Sequence, residues 1–495
     1  MGDSRMSANG GSFDVIIIGA GISGINMAYR LQTQIPGCTY TILEARQSLG
    51  GTWDLFRYPG IRSDSDLFTF GFPWYPWRQE NPIASGESIM AYMKDAAAKF
   101  GIDQHIRYKH SLDQAAWSSK HHAWSLTVNV DGEAAYYTAR FLVFGTGYYN
   151  YHTPLETDIP GIGRFQGETV HPQFWPEHLD YADKQIVIIG SGATAVTLLP
   201  QLAKKAKLTT MLQRSPSYIL PMPNRDQSRS KLSYLLPTSV YYKLKRLSWI
   251  IFSRLFVGYC RRFPNRAKQL IEKSVTPLLP LTISYEPHFK PRYLPWEQRL
   301  CVCPDGDFYS ALRSGKAVVE TGVIHEVVSD GIQLTSGKKL PADIIVTATG
   351  LKLCVGGGVQ FEVDGEQVAL NTKFLWNGVM LQDIPNAAFV IGYTDASWTL
   401  GADATAHFVC RLLQSMSRKG YVEAKPYLPN SDSLTASPAF NLNSTYVAVG
   451  AKSLPKTAAV APWTGRGGYF SDMFWAKYGN ITRGMRYVNG KAKNQ

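Results

Sequence analysis

The feature that most constrains this chain is a strand–glycine turn–helix–strand unit that occurs twice. In the first copy, the apolar run 13–18 leads into the turn Gly19-Ala20-Gly21-Ile22-Ser23-Gly24. A helix-like stretch from Ile25 to Gln34 and a second strand at 39–43 follow. An uninterrupted apolar strand is typical of a parallel sheet that is buried on both faces. The unit therefore predicts an α/β domain that binds a dinucleotide.

The second copy begins far along the chain. The strand Gln185–Ile189 precedes the turn Gly190-Ser191-Gly192-Ala193-Thr194-Ala195, a helix to about Lys205 and a strand at 208–212. In both copies, the glycines let the backbone approach a pyrophosphate, and the N-terminus of the helix supplies N–H donors. We therefore predict two Rossmann-like dinucleotide-binding domains, whose cofactor contacts include Gly19, Gly21, Gly24, Gly190, Gly192 and Thr194.

The residue that closes the second strand of each unit predicts which cofactor binds there. In the first unit it is Glu44, whose carboxylate accepts hydrogen bonds from ribose hydroxyls and repels a 2′-phosphate. In the second unit the matching residue is Arg214, whose guanidinium can hold a 2′-phosphate. FAD in the first unit and NADPH in the second satisfy both preferences. A surface arginine in a loop is the alternative explanation of Arg214.

Two further strands predict how the 495 residues divide into domains. Strands at 140–144 and 342–347 each precede a small, glycine-containing turn, as where a flavin domain is left and re-entered in two-dinucleotide flavoproteins. We therefore expect an FAD domain built from 1–150 and 346–495, and an NADPH domain built from 151–224 and 286–345. Residues 225–285 fit neither unit, and the helical spacing of apolar residues at 235–260 predicts a helical insertion.

The insertion carries most of the excess positive charge of the chain. The net charge is +13, and ten basic residues with no acid lie between Asp226 and Glu272. Three explanations stay open: a helical cap with a solvated charged face, a weak peripheral membrane contact, and electrostatic steering of the polyanionic NADPH. Nucleic-acid binding is disfavoured because no recognition motif accompanies the charge.

Other features of the composition exclude several classes of protein. The six cysteines are scattered along the chain, which is not a disulfide framework, and no metal site is predicted. The N-terminal segment carries acids and lacks the apolar stretch of a signal peptide. No run of about 18 apolar residues occurs either. We therefore expect a soluble cytoplasmic enzyme.

Longer motifs carry a resemblance to a known family. Gly50-Gly51-Thr52-Trp53 is followed by Tyr58-Pro59-Gly60 and Asp64, and a string FxGxxxHxxxWP runs from Phe165 to Pro176. Both strings resemble the fingerprints of flavin-dependent Baeyer–Villiger monooxygenases. The stretches 295–301 and 392–398, and the string DLFRYPGIRSDSD, are similar to the subgroup of ethionamide-activating monooxygenases. The resemblance spans nearly the whole chain.

The resemblance implies an activity and its cofactors. In that family NADPH reduces FAD, NADP+ stays bound, and the C4a-peroxyflavin formed with O2 converts ketones to esters or lactones. The protonated hydroperoxide can instead oxygenate soft nucleophiles such as sulfides. The partners implied are therefore a small ketone or sulfide and O2. The first fingerprint implies that Gly51, Thr52, Trp53 and Asp64 lie beside the flavin.

The resemblance also implies a catalytic pair. The catalytic arginine of the family matches Arg299, and the aspartate that hydrogen-bonds it matches Asp64. Arginine suits this role because it stays charged throughout a reaction cycle. Arg292 is the rival candidate. One departure from the family is Gln298, where many members carry a lysine that contacts the 2′-phosphate of NADP.

Two other functions fit the same cofactors. A flavin-containing monooxygenase that oxygenates only N or S is disfavoured by Trp175 and Asp64, since that group usually carries other residues at both positions. A flavoprotein NADPH oxidase or redox sensor is the third candidate. A flavin disulfide reductase is disfavoured because Cys301 and Cys303 form CxC rather than a spaced redox pair. His171 and Trp175 are expected to shape the linker between domains rather than to catalyse.

Overall fold

Two sheets with parallel strands, each carrying one of the glycine turns, make up the centre of the fold. The structure, a computed structural model, describes residues 8–225, 236–429, 433–439 and 445–490. In chain order the strands are β1 (Ala8–Ile18), β2 (Tyr40–Glu44), β3 (Ile106–Tyr108), β4 (His110–Ser118), β5 (Ala123–Val130), β6 (Glu133–Phe144), β7 (Glu168–Val170), β8 (Gln185–Ile189), β9 (Leu208–Gln213), β10 (Ile219–Met222), β11 (Cys301–Pro304), β12 (Ala317–Thr321), β13 (Ile324–Val328), β14 (Gly331–Leu334), β15 (Lys339–Pro341), β16 (Ile344–Thr347), β17 (Gln360–Val363), β18 (Glu366–Val368), β19 (Leu375–Trp376), β20 (Met380–Leu381), β21 (Ala387–Phe389), β22 (Tyr421–Pro426), β23 (Ser437–Pro438), β24 (Lys456–Thr457) and β25 (Met485–Asn489).

The helices cover both sheets and connect them. In chain order the described helices are α1 (Ile22–Gln34), α2 (Thr52–Leu55), α3 (Leu67–Phe70), α4 (Gly86–Lys99), α5 (Ala193–Leu202), α6 (Thr238–Arg262), α7 (Pro264–Val275), α8 (Tyr285–His288), α9 (Asp307–Arg313), α10 (Trp398–Lys419), α11 (Thr445–Gly450) and α12 (Tyr469–Tyr478).

The first sheet has nine strands in the order β18-β17-β4-β5-β6-β1-β2-β3, and β21 also pairs with β6. β1 lies between β2 and β6 and runs parallel to both. Its side chains alternate between two hydrophobic clusters: Val15 and Ile17 pack in one, and Ile16 and Ile18 pack in the other. Both faces of the second half of β1 are therefore covered, which explains why Val15–Ile18 are all apolar.

The second sheet repeats this arrangement with five parallel strands in the order β12-β9-β8-β16-β7. Here Ile186 and Ile188 pack in one cluster with residues of α5 and α9, while Val187 and Ile189 pack in another. The strand β16 lies beside β8 as β6 lies beside β1. The predicted α/β fold with two Rossmann-like units is therefore confirmed.

Some bounds differ from the predicted ones for physical reasons. The first helix begins at Ile22, directly after Gly21, rather than at Ile25. The strand predicted at 140–144 begins already at Glu133, because its first half pairs with β5 in an antiparallel meander that the sequence pattern did not reveal. The strand predicted at 342–347 belongs to the second sheet as far as Thr347.

The insertion predicted at 225–285 is helical where the structure describes it. α6 is 25 residues long and α7 follows it, whereas residues 226–235, the first part of the basic run, lie outside the described ranges. Arg246 fixes α6 to the first domain, since its guanidinium donates to the backbone oxygens of Phe68 at 2.9 Å and Gly71 at 2.6 Å. No helix in the described part of the chain is long and apolar enough to cross a membrane.

Candidate active site

One large cavity is shared by the two nucleotide-binding units. Its volume is about 1200 Å³, which exceeds the roughly 300–1,000 Å³ of pockets that hold a single drug-sized ligand. A cavity of this size suits two dinucleotides that meet. The predicted site residues that line it are Gly19, Gly21, Glu44, Gly51, Thr52, Trp53, Asp64, Gly190, Gly192, Thr194, Arg214 and Arg299. Gly24 is the predicted residue that is not part of the lining.

The first glycine turn has room for a phosphate at one position and none at another. Gly21 caps α1, and no side chain accepts a hydrogen bond from the N–H groups there. A Cβ added at Gly21 would meet only the Cα of Gly51, at 3.7 Å, so it would occupy cavity space. A Cβ at Gly24 would instead lie 1.9 Å from the backbone oxygen of Gly19. Gly21 thus fits a ligand role, while Gly24 permits close packing of the turn.

The second glycine turn has the same design. Gly190 has a φ of +135°, and a Cβ there would lie 2.3 Å from the backbone oxygen of Ala348. A Cβ at Gly192 would meet nothing within 4 Å, and Gly192 caps α5 without any side-chain hydrogen bond. The uncapped N-termini of α1 and α5 therefore both belong to the cavity wall, where N–H donors and the helix dipoles favour phosphate. Thr194, on the first turn of α5, hydrogen-bonds the hydroxyl of Tyr58.

Glu44, the acid that closes β2, is buried and already holds the first glycine turn. The N–H of Ala20 donates to its Oε2 at 2.7 Å, and the N–H of Arg46 donates to its Oε1 at 2.9 Å. Burial raises the pKa of Glu44, and these backbone hydrogen bonds oppose that rise. Each carboxylate oxygen keeps acceptor capacity for a ribose hydroxyl. These features fit the adenosine end of FAD.

Arg214, which follows β9, is exposed and lines the same cavity. Next to it the hydroxyl of Ser191 donates to the backbone oxygen of Ser215 at 3.0 Å, and the hydroxyl of Ser217 lies 3.0 Å from that of Ser191. A cation beside several hydroxyl groups fits the 2′-phosphate of NADPH. Gln298, the departure from the family pattern, also lines the cavity.

The segment between Tyr58 and Asp66 leaves the first domain and contacts the second. Arg62 forms a bidentate ion pair with Asp307, the first residue of α9, and its side chain is only 10% exposed. Two residues further on, Asp64 lies 3.5 Å from Arg299, the residue shortly before β11. The two ion pairs have opposite polarity, because each domain contributes one acid and one base.

The two candidate arginines differ in where they lie. Arg299 lines the cavity and faces Asp64, as the resemblance implied. Arg292 is exposed, and it is not part of the cavity lining. The geometry therefore favours Arg299 over Arg292 as the cation beside the reacting atoms.

Several residues of the cavity wall were missed by the sequence reasoning. The hydroxyl of Thr52 hydrogen-bonds the hydroxyl of Tyr149 and lies 3.4 Å from that of Tyr151, and the two tyrosine rings stack. Tyr148 stacks on Trp398, whose indole N–H donates to Ser23 at 2.9 Å. The signal that could have revealed them is the tyrosine run directly after the small-residue turn that ends β6.

Residues that were not expected to catalyse hold structure in place. Burial lowers the pKa of His171, whose Nδ1 accepts the N–H of Gln173 at 3.2 Å. Trp175 is buried in the core of the second domain. All six cysteines are free, and burial raises the pKa of Cys301 to about 12. A thiol with so high a pKa is a poor nucleophile, which agrees with the rejection of disulfide reductase chemistry.

Comparison with known proteins identifies the family. The FAD-containing monooxygenase EthA of Mycolicibacterium smegmatis is 45% identical over 470 residues, which cover 95% of this chain and 95% of that protein. This chain belongs to the FAD-containing monooxygenases. The predicted recognition, the monooxygenase class and FAD as a cofactor are thereby confirmed.

Other relatives of this FAD-containing monooxygenase agree. EthA of Mycobacterium tuberculosis is 44% identical over 481 residues, which cover 97% of this chain and 98% of that protein. The probable FAD-binding monooxygenase AlmA of Acinetobacter baylyi is 41% identical over 480 residues, covering 97% and 96%. The sequence profile of a family described as pyridine nucleotide-disulphide oxidoreductase matches residues 16–234.

Solved structures share the fold of this FAD-containing monooxygenase across nearly its whole length. A steroid monooxygenase bound to NADP is 20% identical with a TM-score of 0.74, and 97% of this chain and 100% of that chain are covered. OTEMO in complex with FAD and NADP is 19% identical with a TM-score of 0.73 and the same coverage. At this identity the likeness shows a common fold of two nucleotide-binding domains.

The different roles of two glycines give the first testable prediction. We expect Gly21→Val to fold but to lose FAD, because its side chain would enter the cavity where the pyrophosphate fits. Gly24→Ala should instead lower thermal stability, because its Cβ would overlap a backbone oxygen. Flavin absorbance per chain and thermal unfolding measure the two effects.

The control is Gly258→Ala on α6, where a Cβ would meet nothing within 4 Å. This variant should keep both its flavin and its stability. A Gly21→Val protein that still carries one FAD per chain would show that the flavin lies elsewhere.

Proposed function

We propose that this FAD-containing monooxygenase is an NADPH- and O2-dependent Baeyer–Villiger enzyme that converts ketones to esters or lactones and also oxygenates sulfides. The observation that carries the proposal is the ion pair of Asp64 and Arg299, 3.5 Å apart, in the wall of the cavity shared by both nucleotide-binding units. Solved structures with the same fold, described as a steroid monooxygenase bound to NADP and a cyclohexanone monooxygenase, support it.

The residues of the two units would hold the two cofactors. In the first unit, Gly21 and the N-terminus of α1 would bind the pyrophosphate of FAD, and Glu44 would bind its ribose. In the second unit, Gly192 and α5 would bind the pyrophosphate of NADPH, and Arg214 would bind its 2′-phosphate. When bound, FAD accepts a hydride from NADPH and supplies the activation of O2.

Arg299 would contribute a permanent positive charge next to the reacting atoms. Such a charge stabilises the negative charge that develops on oxygen in the transition state. The side chains of Arg299 and Asp64 are 35% and 42% exposed, so this pair contributes little to folding stability. The role of Asp64 is therefore to orient the guanidinium toward the cavity.

The proposal also covers the domain boundaries, the small-molecule partners and the cellular compartment of the enzyme. The FAD domain consists of 1–150 and 346–495, and the NADPH domain of 151–224 and 286–345, with the helical insertion at 225–285; the pairing of β16 with β8 favours moving the second boundary to 347/348. The small-molecule partners are a ketone or sulfide and O2, and the enzyme acts in the cytoplasm.

The test of the proposed reaction follows the origin of the inserted oxygen. The holoenzyme is reduced with NADPH without air, then exposed to 18O2 with a panel of ketones, sulfides and amines, and the products are analysed by mass spectrometry. We expect one 18O atom in each ester or lactone. Products labelled only on nitrogen or sulfur would indicate a flavin-containing monooxygenase, and peroxide without any labelled product would indicate an oxidase.

Coenzyme preference gives the second prediction. Arg214→Ala should weaken NADPH binding by about 1.5–3 kcal/mol, or roughly one to two orders of magnitude in affinity, and leave NADH binding unchanged. Titration of the oxidised holoenzyme with NADP+ and NAD+ measures the change. Arg164→Ala, an exposed arginine of the same domain that pairs with Glu326, is the control and should keep the parent preference. An unchanged preference in Arg214→Ala would assign the 2′-phosphate to other residues.

The third prediction is that replacing Arg299 abolishes oxygenation without loss of the flavin. Arg299→Ala should keep FAD and its fold but form no ester from any ketone that the parent converts, while NADPH oxidation to peroxide continues. Arg299→Lys should recover little, since it keeps the charge but loses the planar guanidinium. Asp64→Ala should lose less activity, because the cation itself remains.

The matched comparison is Arg292→Ala, at an exposed arginine outside the cavity lining. It should form ester at the parent rate. If Arg292→Ala lost ester formation while Arg299→Ala kept it, Arg292 would be the catalytic arginine. If both variants formed ester at the parent rate, neither arginine would take part in the reaction.

A further inference from the structure

The helix α6 presents an apolar stripe to solvent. Steps of three or four residues place six apolar side chains on one face, and all six are exposed: Val240, Leu244, Leu247, Ile251, Leu255 and Tyr259. Residues at this spacing form a continuous stripe along a helix. Leu255 is 67% exposed, and Phe252, beside the stripe, is 62% exposed. From Val240 to Tyr259 the stripe extends roughly 30 Å along α6.

An ordinary surface helix is apolar only on its covered face, whereas α6 is apolar on both faces. The covered face of α6 holds the buried residues Ile250, Val257 and Cys260, and Trp249 and Phe256 pack partly buried against the two domain cores. The six side chains of the stripe stay exposed in addition. A contiguous exposed apolar surface of this kind on a soluble protein marks an interaction site. The stripe therefore needs a partner that removes it from water.

Exposed positive charge lies near both ends of the stripe, with Lys243 near the start of α6 and Arg254, Arg261 and Arg262 in its second half. α6 contains six basic residues and no acid: Lys243, Lys245, Arg246, Arg254, Arg261 and Arg262. Arg254 and Arg261 each lie within 4 Å of Asp395, yet more than half of each side chain stays exposed. The next helix, α7, adds Arg266, Lys268 and Lys273 against one acid, Glu272. A partner with negative charge and an apolar layer matches this face.

A second helix extends the apolar surface. α12 begins next to α6, since Gly468 lies near Arg254 and Tyr469 packs with Ile250. Further along α12, Phe474 is 67% exposed and Tyr478 is also exposed. Both helices of this pair thus carry exposed apolar side chains.

We propose that α6, together with the exposed side of α12, docks this protein on the surface of an anionic lipid bilayer. A helix with an apolar stripe and basic flanks lies in the interface plane, with its apolar side chains among the acyl chains and its cations at the headgroups. A second copy of the chain fits less well, because a two-fold interface would bring the basic flanks against their own copies.

The docking face and the cavity share a wall. Ile250 of α6 packs on Tyr393, and Asp395 pairs with Arg261 at 3.1 Å. Tyr393, with its neighbours Ala396 and Trp398, lines the cavity. Docking would therefore leave α6 and the contact of Ile250 with Tyr393 between the bilayer and the cavity. Bilayer docking itself does not rest on the proposed ketone chemistry, so it is measured by binding alone.

The test measures binding of the holoenzyme to vesicles by flotation. We expect the parent to float with vesicles of phosphatidylcholine and phosphatidylglycerol, and to bind at least about tenfold less to phosphatidylcholine alone. Binding to the anionic vesicles should fall as salt is raised, because headgroup attraction is screened. A parent that stays unbound at low salt would overturn the proposal.

Paired variants separate the stripe from the rest of the surface. Phe252→Ser with Leu255→Ser should weaken binding at least about tenfold, since both side chains leave water only on docking. Tyr136→Ser with Val460→Ser, exposed apolar residues outside α6 and α12, is the matched control and should bind as the parent does. Flavin content and NADPH oxidation should stay at parent values in both double variants.

Two outcomes of this comparison would overturn the proposal. Equal vesicle binding by both double variants would show that the stripe does not contact lipid. A parent that is a dimer and becomes monomeric with Phe252→Ser and Leu255→Ser, without vesicle binding, would show that the stripe is a subunit interface.

Discussion

An ion pair between Arg62 and Asp307 joins residues that are 245 positions apart and belong to different domains. Its partner pair, Asp64 with Arg299, lies two residues away on the same segment and has the opposite polarity. This opposite polarity fixes how the segment 62–64 aligns with the second domain. A shift by two residues would bring Arg62 to Arg299, or Asp64 to Asp307, and like charges repel. Arg299, in the wall of the cavity, is therefore placed by a contact between the domains.

The glycine turns could be predicted from the sequence because they depend on short-range geometry. Strand, turn and helix follow one another directly, and the bounds of Gln185–Ile189 were predicted to the residue. Glu44 and Arg214 could be predicted as well, since each follows the strand beside its turn. Both side chains line the cavity, although their ligand contacts remain predictions.

Other parts of the fold depend on contacts between residues that are far apart in the sequence, which the spacing of residue types does not predict. The partner of Arg62 lies on a helix of the second domain, and Tyr149 meets Thr52 across 97 residues. The first half of β6 pairs with β5 and with the first half of β1, and the sequence pattern predicted neither pairing. The apolar spacing in α6 predicted a helix correctly, but it could not reveal which face the rest of the protein would cover.

The measurement that tests the central claim most directly is a double-mutant cycle on Arg62→Gln and Asp307→Asn, with ester formed per NADPH oxidised as the readout. If this pair holds Asp64 opposite Arg299, each single variant should keep FAD but divert NADPH oxidation toward peroxide. The double variant should then form as much ester per NADPH as the more impaired single variant, because both changes remove the same interaction. Parent ratios in both single variants, or losses that multiply in the double variant, would contradict the account.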